Sequence, residues 1–234
     1  MKLLTIGDGS MKIAKSDAAG TKYLSAIMYL APHKVAGRGN LCPDASPGCI
    51  AACLNTAGRG IYQKTQDARI KRSLMWLEQR DAFKAQLIRE IAAFVLKCVK
   101  AGKTAAIRLN GTSDVYWEKV WPEIFALFPD VQFYDYTKNV VRMLNFCNGL
   151  LPKNYHLTFS RSEINEANCL KVLKAGGNVA TVFSSAEFPK KWNGYKVQDA
   201  DEDDLRFLDA RGTVQALKAK GKARKDVSGF VIQL

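Results

Sequence analysis

Three cysteines, Cys42, Cys49 and Cys53, lie within twelve residues in a C-x6-C-x3-C pattern. Thiolates this close in sequence can converge on one metal centre, and Pro47 and Gly48 favour a loop that folds back on itself. Cys49 and Cys53 are one helical turn apart, so a helix would place them on one face. Three cysteines also leave one iron of a [4Fe–4S] cluster open to an outside ligand, as a reactive cluster requires.

Zinc is the main alternative to an iron–sulfur cluster at these cysteines. A structural zinc site takes four ligands, usually from two short pairs of Cys or His, and the sequence has no second pair. The chain has two histidines, His33 and His156, and we expect neither to be a ligand. The pattern therefore favours iron and sulfide, while zinc and the absence of any metal stay open.

Three further cysteines, Cys98, Cys147 and Cys169, lie among apolar residues. We expect buried free thiols, because unpaired cysteine is among the most buried residue types; one of them could instead supply a fourth cluster ligand. The first residues lack the apolar core of a secretory signal, so we expect a cytoplasmic protein. In that compartment a tight cysteine group indicates metal or redox chemistry more than disulfides.

The chain has 35 Lys and Arg against 22 Asp and Glu, a formal net charge of +13. This balance favours nucleic acid or another polyanion as a partner. Most basic residues are spread along the chain, and residues 218–225 are the one concentrated run. No apolar run reaches the roughly 18 residues of a membrane span, so we expect no membrane partner.

The elements that must position these groups alternate along the middle of the chain. Short apolar runs predict strands, and amphipathic or capped stretches predict helices. The predicted strands cover 105–110, 131–136, 155–159 and 179–183, and the predicted helices cover 66–100, 117–128, 139–151 and 164–175. This alternation is typical of a mainly parallel sheet covered by helices.

We therefore expect an α/β fold of mainly parallel strands, either a partial or complete (β/α) barrel or an open doubly wound sheet. A single domain should cover residues 1–234, with the cysteine loop in 1–65, the β/α core in 66–183 and a C-terminal extension in 184–234. The segment before the loop is interpreted as a polar lead-in with one apolar stretch. Residues 229–234 are a candidate last strand.

Polar residues follow each predicted strand, where parallel sheets place their functional sites. Single residues of this kind often cap helices, but four polar strand ends together favour a pocket. The candidate pocket residues are Asn110, Thr112, Ser113, Asp114, Asp135, Lys138, Ser160 and Arg161.

An acidic stretch covers residues 199–204, where five of six positions are Asp or Glu. Oxygen ligands could bind a cation there, but the stretch lacks the glycine and the terminal glutamate of a calcium loop. We therefore expect a solvated surface turn that pairs with nearby lysines.

The cysteine loop followed by a β/α run with polar strand ends resembles the radical S-adenosylmethionine proteins. In that superfamily three cysteines hold a [4Fe–4S] cluster above a partial barrel, and the free iron binds the amine and carboxylate of S-adenosylmethionine. The spacing here is wider than the usual C-x3-C-x2-C loop. The resemblance implies that Cys42, Cys49 and Cys53 are the cluster ligands and that the strand ends bind the rest of the cofactor.

More closely, the chain resembles a group of bacteriophage proteins related to the gene 88 protein family. The shared features are Cys-Pro-x-Ala-x-x-Gly-Cys at 42–49, Cys53-Leu54, Ala68-Arg69, and residues 108–114, 201–209 and 218–231. The resemblance covers about residues 10–234 and implies a phage protein in the host cytoplasm.

The leading interpretation is a phage iron–sulfur protein, in its catalytic form a radical enzyme acting on an unidentified substrate. If S-adenosylmethionine binds, the expected reaction is its reductive cleavage to a carbon radical that abstracts hydrogen from the substrate. One open alternative is a non-catalytic iron–sulfur protein with a redox or structural role. Another is a basic nucleic-acid-binding module with a structural metal, whose affinity would fall steeply with salt.

Overall fold

A computed structural model describes the backbone of residues 1–234 and every side chain except that of Asp8. The strands along this chain are β1 (Leu4–Ile6), β2 (Tyr23–Met28), β3 (Thr104–Arg108), β4 (Gln132–Thr137), β5 (Tyr155–Ser160), β6 (Val179–Phe183), β7 (Lys191–Trp192), β8 (Tyr195–Asp199) and β9 (Val214–Lys218). The α-helices are α1 (Met11–Ala18), α2 (Pro47–Ala51), α3 (Gln63–Glu78), α4 (Arg80–Lys100), α5 (Trp117–Val120), α6 (Glu123–Leu127), α7 (Val140–Cys147) and α8 (Glu166–Lys174).

The strands form one mostly parallel sheet, in the order β1-β2-β3-β4-β5-β6-β9-β8-β7. Strands β2 to β6 pair in parallel in chain order, β9 pairs in parallel with β6, and β8 pairs in parallel with β9. Antiparallel pairs occur only where β1 meets β2 and β7 meets β8, among the strands described. The predicted mixed α/β class is confirmed, and a closed barrel is not shown because the strand order has two ends.

The predicted core strands are confirmed, with ends that shift by no more than two residues. The predicted helix 66–100 is two helices, α3 and α4, on either side of Gln79. The predicted helix 117–128 is interrupted at Pro122, which lacks the amide hydrogen that a continuing helix would donate. In the part of the chain that the structure describes, no helix has the length and apolar character to cross a membrane.

The two ends of the chain contribute more to the sheet than the sequence predicts. The expected polar lead-in is wrong only in part: its one apolar stretch forms β2, but β1 and α1 precede that strand, and Leu3 and Leu4 are buried. The C-terminal extension supplies β9, which lies beside β6 inside the sheet. The candidate last strand forms only one bridge, between Phe183 and Ile232. These pairings join segments that are distant in sequence, so local patterns do not indicate them.

Helices α3 and α4 cover the sheet with an aromatic core. Trp76 packs against Trp117 with ring centres 4.8 Å apart and against Phe83 at 5.4 Å. Cys98 and Cys169 are buried free thiols, as expected, while Cys147 is only half-buried. This core fixes the strands whose C-terminal ends form the candidate site.

Candidate metal centre

The three clustered cysteines line one cavity of about 220 Å³ beyond the C-terminal ends of β3, β4 and β5. We call it the cysteine cavity. Cys42, Cys49 and Cys53 are all half-buried free thiols. The strand-end residues that line the same cavity are Thr112, Ser113, Asp114, Lys138 and Ser160. The fold therefore brings the cysteine loop and these polar residues together.

A hydrogen-bonded clamp attaches the loop that carries Cys49 to the segment after β5. The Ser46 hydroxyl accepts a hydrogen bond from the Cys49 amide at 3.2 Å, as an N-cap residue does. The Glu163 carboxylate accepts from the Ser46 hydroxyl at 2.7 Å and from the Gly48 amide at 2.8 Å. Burial alone would raise the pKa of Glu163, but these hydrogen bonds lower it. We call this arrangement the Glu163 clamp.

Gly48 leaves no room for a side chain inside the Glu163 clamp. A Cβ atom at this position would lie 2.7 Å from a Glu163 carboxylate oxygen and would overlap the Ser228 hydroxyl. We expect Gly48→Ala to displace Glu163, to lower the free energy of unfolding by about 1–3 kcal/mol and to reduce the metal retained per chain. Calorimetry and metal analysis measure both effects.

Ala51→Ser is the matched control, because it adds one atom on the exposed side of the same helix. It should leave the Tm and the metal content at their wild-type values. If Gly48→Ala also keeps both values, the clamp does not support the cysteine loop.

Cys42 and Cys53 are held through their sulfur atoms. The Cys42 sulfur accepts a hydrogen bond from the His33 amide at 3.2 Å, and its thiol donates to the Thr112 carbonyl at 3.8 Å. The Cys53 sulfur accepts from the Asn55 amide at 3.5 Å. Burial raises the pKa of the Cys42 thiol to about 12 and also raises the pKa of Cys53. Both residues are therefore neutral thiols near pH 7, and a metal would have to displace their protons in order to bind.

Asp114 forms part of the cavity wall, and its charge is already paired. Arg142 donates to one carboxylate oxygen at 2.8 Å, and the Lys138 amide and the Thr137 hydroxyl donate to the other at 2.9 and 3.2 Å. Arg142 also pairs with Glu118 at 2.7 Å. Burial raises the pKa of Asp114, and Arg142 offsets part of that rise. Asp114 is thus a fixed structural element of the wall.

Lys138 presents a positive charge to the cysteine cavity. Its ammonium group donates to the Ser160 hydroxyl at 2.8 Å and lies 5.5 Å from the centre of the Phe230 ring. No carboxylate pairs with it among the described side chains. A neutral hydroxyl and an aromatic ring position this cation without neutralising it, so it can attract an anionic group in the cavity.

The remaining predicted pocket residues lie outside the cysteine cavity. Asn110 lines a second cavity of about 200 Å³ that also touches Cys49 and Cys53. Asp135 lies beneath it and accepts from the Asn110 amide at 2.6 Å, and burial raises the pKa of Asp135 to about 7. Arg161 donates to the carbonyls of residues 229 and 230, at 2.9 and 3.0 Å. Asp135 and Arg161 therefore position other groups and line neither of these two cavities.

A buried ion network lies beside the second cavity. The Asp204 side chain is 1% exposed and pairs with Arg108 at 2.9 Å and with Lys12 at 2.6 Å. Burial alone would raise the pKa of Asp204, but the two cations hold it well below its usual range. The expected solvated turn is therefore wrong for Asp204, although Asp201 does pair with Lys220 as expected.

The histidines do not complete a zinc site with the cysteines. His33 lines the cysteine cavity, but His156 packs against Phe146 with ring centres 4.9 Å apart. Burial lowers the pKa of His156 to about 4. Among the described side chains, no three His, Cys, Asp or Glu residues lie close enough to hold a single metal ion. A single-ion site is therefore not preformed in this part of the molecule.

Sequence reasoning missed the residues that hold the cysteine loop in place. Ser46 could have been found, because a serine followed by proline is a common helix start. Glu163 could not, because the Gly48 amide that it binds is 115 residues away in sequence. Tyr136 lines both cavities and was not singled out, because an aromatic residue in a predicted strand usually indicates core.

Comparison with known proteins identifies a family for this chain. No curated protein matches it, and no solved structure does. Residues 2–234 match the family described as gene product 88. The cysteine loop, the strand-end residues and the Glu163 clamp all lie within the matched region. The chain therefore belongs to the gene product 88 family.

Proposed function

We propose that this is a phage iron–sulfur protein whose Cys42, Cys49 and Cys53 bind a [4Fe–4S] cluster, and that it is a radical enzyme dependent on S-adenosylmethionine. The observation that carries the proposal is the single cavity lined by all three thiols and by polar strand-end residues. The chain order of β2 to β6 supports the comparison with a partial barrel, since (β/α) barrels have the same order and the same location of the site.

Three thiols that line one cavity suit a cubane cluster. Each thiolate of such a cluster binds a different iron, so the sulfur atoms surround an open volume and need not meet at one point. The three half-buried cysteines line about 220 Å³. Three cysteines would leave the fourth iron open.

The residues of the cavity wall suit S-adenosylmethionine. Lys138 is a cation that could bind the carboxylate of the cofactor. The Thr112 hydroxyl donates to the Leu30 carbonyl at 2.5 Å, and the Ser113 hydroxyl donates to the Asn110 side-chain oxygen at 2.8 Å. Both hydroxyl oxygens therefore remain available to accept a hydrogen bond from an amine. With one electron from an external reductant, the bound cluster and cofactor would supply a carbon radical that takes hydrogen from a substrate, and the cleaved sulfur–carbon bond would leave methionine.

Anaerobic purification followed by iron and sulfide analysis tests the cluster, and calorimetric titration with S-adenosylmethionine tests the cofactor. We expect about four iron and four sulfide per chain and absorption near 400 nm. Lys138→Met should keep the cluster but weaken cofactor binding at least about tenfold, because it removes a hydrogen bond from a charged donor. Lys153→Met, on an exposed loop at the opposite end of β5, is the control.

The outcomes separate the parts of the proposal. A protein with the cluster that does not bind S-adenosylmethionine would be a non-catalytic iron–sulfur protein, and the enzymatic part would be wrong. Zinc or no metal in the anaerobic protein would overturn both parts and favour the nucleic-acid-binding alternative. Wild-type cofactor affinity in Lys138→Met would remove the role of Lys138 alone.

A further inference from the structure

A cleft of about 600 Å³ lies between α1, α3 and the turn at Gly58–Ile61. We call it the basic cleft. Its basic lining residues are Lys12, Lys15, Arg59, Lys64, Arg69, Arg72 and Lys220. Among the side chains that the structure describes, no Asp or Glu lines it. This composition selects for an anionic ligand.

Most of the positive charge in the basic cleft is not neutralised by the protein. Lys12 and Lys220 pair with carboxylates. Arg59, Arg72 and Lys15 instead donate to backbone carbonyl oxygens, at 3.1, 2.8 and 2.8 Å. A carbonyl oxygen orients a cation but does not cancel its charge. Arg59 and Lys15 are therefore held in place with their charge available to a ligand, whereas the nearby Glu90 carboxylate offsets part of the Arg72 charge.

Arg69 is the most unusual cation of the cleft, because it is 7% exposed and has only neutral partners in the described chain. It donates to the Asn55 side chain and stacks over the Tyr29 ring at 5.1 Å, and its Nε atom has no hydrogen-bond partner. Burial lowers the pKa of Arg69. A buried cation without a counter-charge is costly, and a phosphate in the cleft would supply that counter-charge.

The basic cleft borders the second cavity. Four residues line both of them, namely Lys12, Leu54, Thr112 and Lys220. The second cavity also touches Cys49 and Cys53. A ligand that occupies the cleft is therefore adjacent to the candidate metal centre.

We propose that the basic cleft binds the phosphodiester backbone of a nucleic acid strand. A polymer fits better than a single nucleotide, because exposed Lys222, Arg224 and Lys225 continue the basic surface beyond Lys220 and the net charge is +13. Such a strand would place one nucleotide next to the cysteine cavity, and that nucleotide would be the substrate. That last step rests on the proposed function, whereas binding in the cleft does not.

Fluorescence anisotropy with a labelled twelve-nucleotide oligonucleotide, as DNA and as RNA, tests the cleft over a series of salt concentrations. We expect binding whose logarithmic salt dependence has a slope of about −0.7 per phosphate contact. Arg59→Gln with Lys64→Gln should weaken binding about tenfold and reduce the slope by about 1.4. Lys171→Gln with Lys174→Gln is the control, because it removes equal charge from exposed positions on α8.

Several outcomes would overturn the proposal. One is that the oligonucleotide does not bind, and another is that both double variants weaken binding equally. A third is that ATP displaces the oligonucleotide at equal phosphate concentration, and a fourth is that polyglutamate displaces it at equal charge. The Cys49→Ala variant separates the two proposals, because it disrupts the proposed cluster and changes no residue that lines the cleft. If this variant still binds the oligonucleotide, the result supports nucleic acid binding in the basic cleft whether or not a cluster exists. If Cys49→Ala loses binding while the Arg59 and Lys64 double variant keeps it, the ligand lies at the cysteines, and the proposal that the basic cleft binds nucleic acid is wrong.

Discussion

Replacing Cys42, Cys49 or Cys53 with alanine should remove the proposed cluster from the anaerobically purified protein. Each residue supplies one of three protein ligands in the proposed site, and two thiolates leave two irons of the cubane open to exchange. We expect iron to fall from about four per chain to well below one and the absorption near 400 nm to disappear. Metal analysis and absorption spectra on the three variants measure this.

Cys147→Ala is the matched control for this series. Cys147 is also a half-buried free thiol, but it lies at the end of α7 and does not line the cysteine cavity. It should keep the wild-type iron content. Full iron loading in any of the three cavity variants would remove that cysteine from the ligand set, and equal losses in all four would indicate non-specific binding to thiols.

Asp204→Asn will lower the free energy of unfolding by about 3–5 kcal/mol, the usual cost of removing one partner from a buried ion pair. Arg108 and Lys12 both pair with this carboxylate, and Arg108 is 6% exposed. The asparagine side chain would leave the Arg108 charge uncompensated in the interior and would deprive the partly exposed Lys12 of its partner. Urea unfolding of both proteins at pH 7 and equal metal content gives the difference.

Glu202→Gln removes the same charge from the same acidic stretch and is the control. Glu202 is exposed and forms no ion pair with the described side chains, so we expect a change within about 0.5 kcal/mol. Similar small effects for both variants would mean that Asp204 is not the central counter-charge of the network.

The sequence predicted the parts of the fold that depend on local pattern. Apolar runs of strand length located β3 to β6, because most residues of those strands are buried whichever face they occupy. The position of β9 beside β6 was not predictable, because the pairing of Val179 with Val214 joins segments 35 residues apart. For the same reason the sequence did not indicate β1, because this three-residue strand depends on its pairing with β2.

The candidate site was predicted in its residue types more than in its geometry. Asp114 and Lys138 follow their strands and reach the cysteine cavity, whereas Asp135 lies within β4 and is directed to Asn110. Whether a side chain at a strand end reaches the cysteine cavity depends on which side of the sheet it occupies. The expectation that Asp204 is exposed to solvent was wrong for a related reason. Its partner Lys12 is 192 residues away in sequence, and an acidic stretch taken alone predicts exposure.

The Glu163 clamp imposes an order of events on the synthesis of the protein. It joins the cysteine loop to the segment after β5, and Ser228 lies against Gly48 at the same point. About 180 residues separate Cys49 from Ser228, which at typical ribosome speeds corresponds to roughly 10–40 s. During that interval the three thiols lack their final surroundings, so a cluster of the proposed kind would have to enter the finished cavity after synthesis.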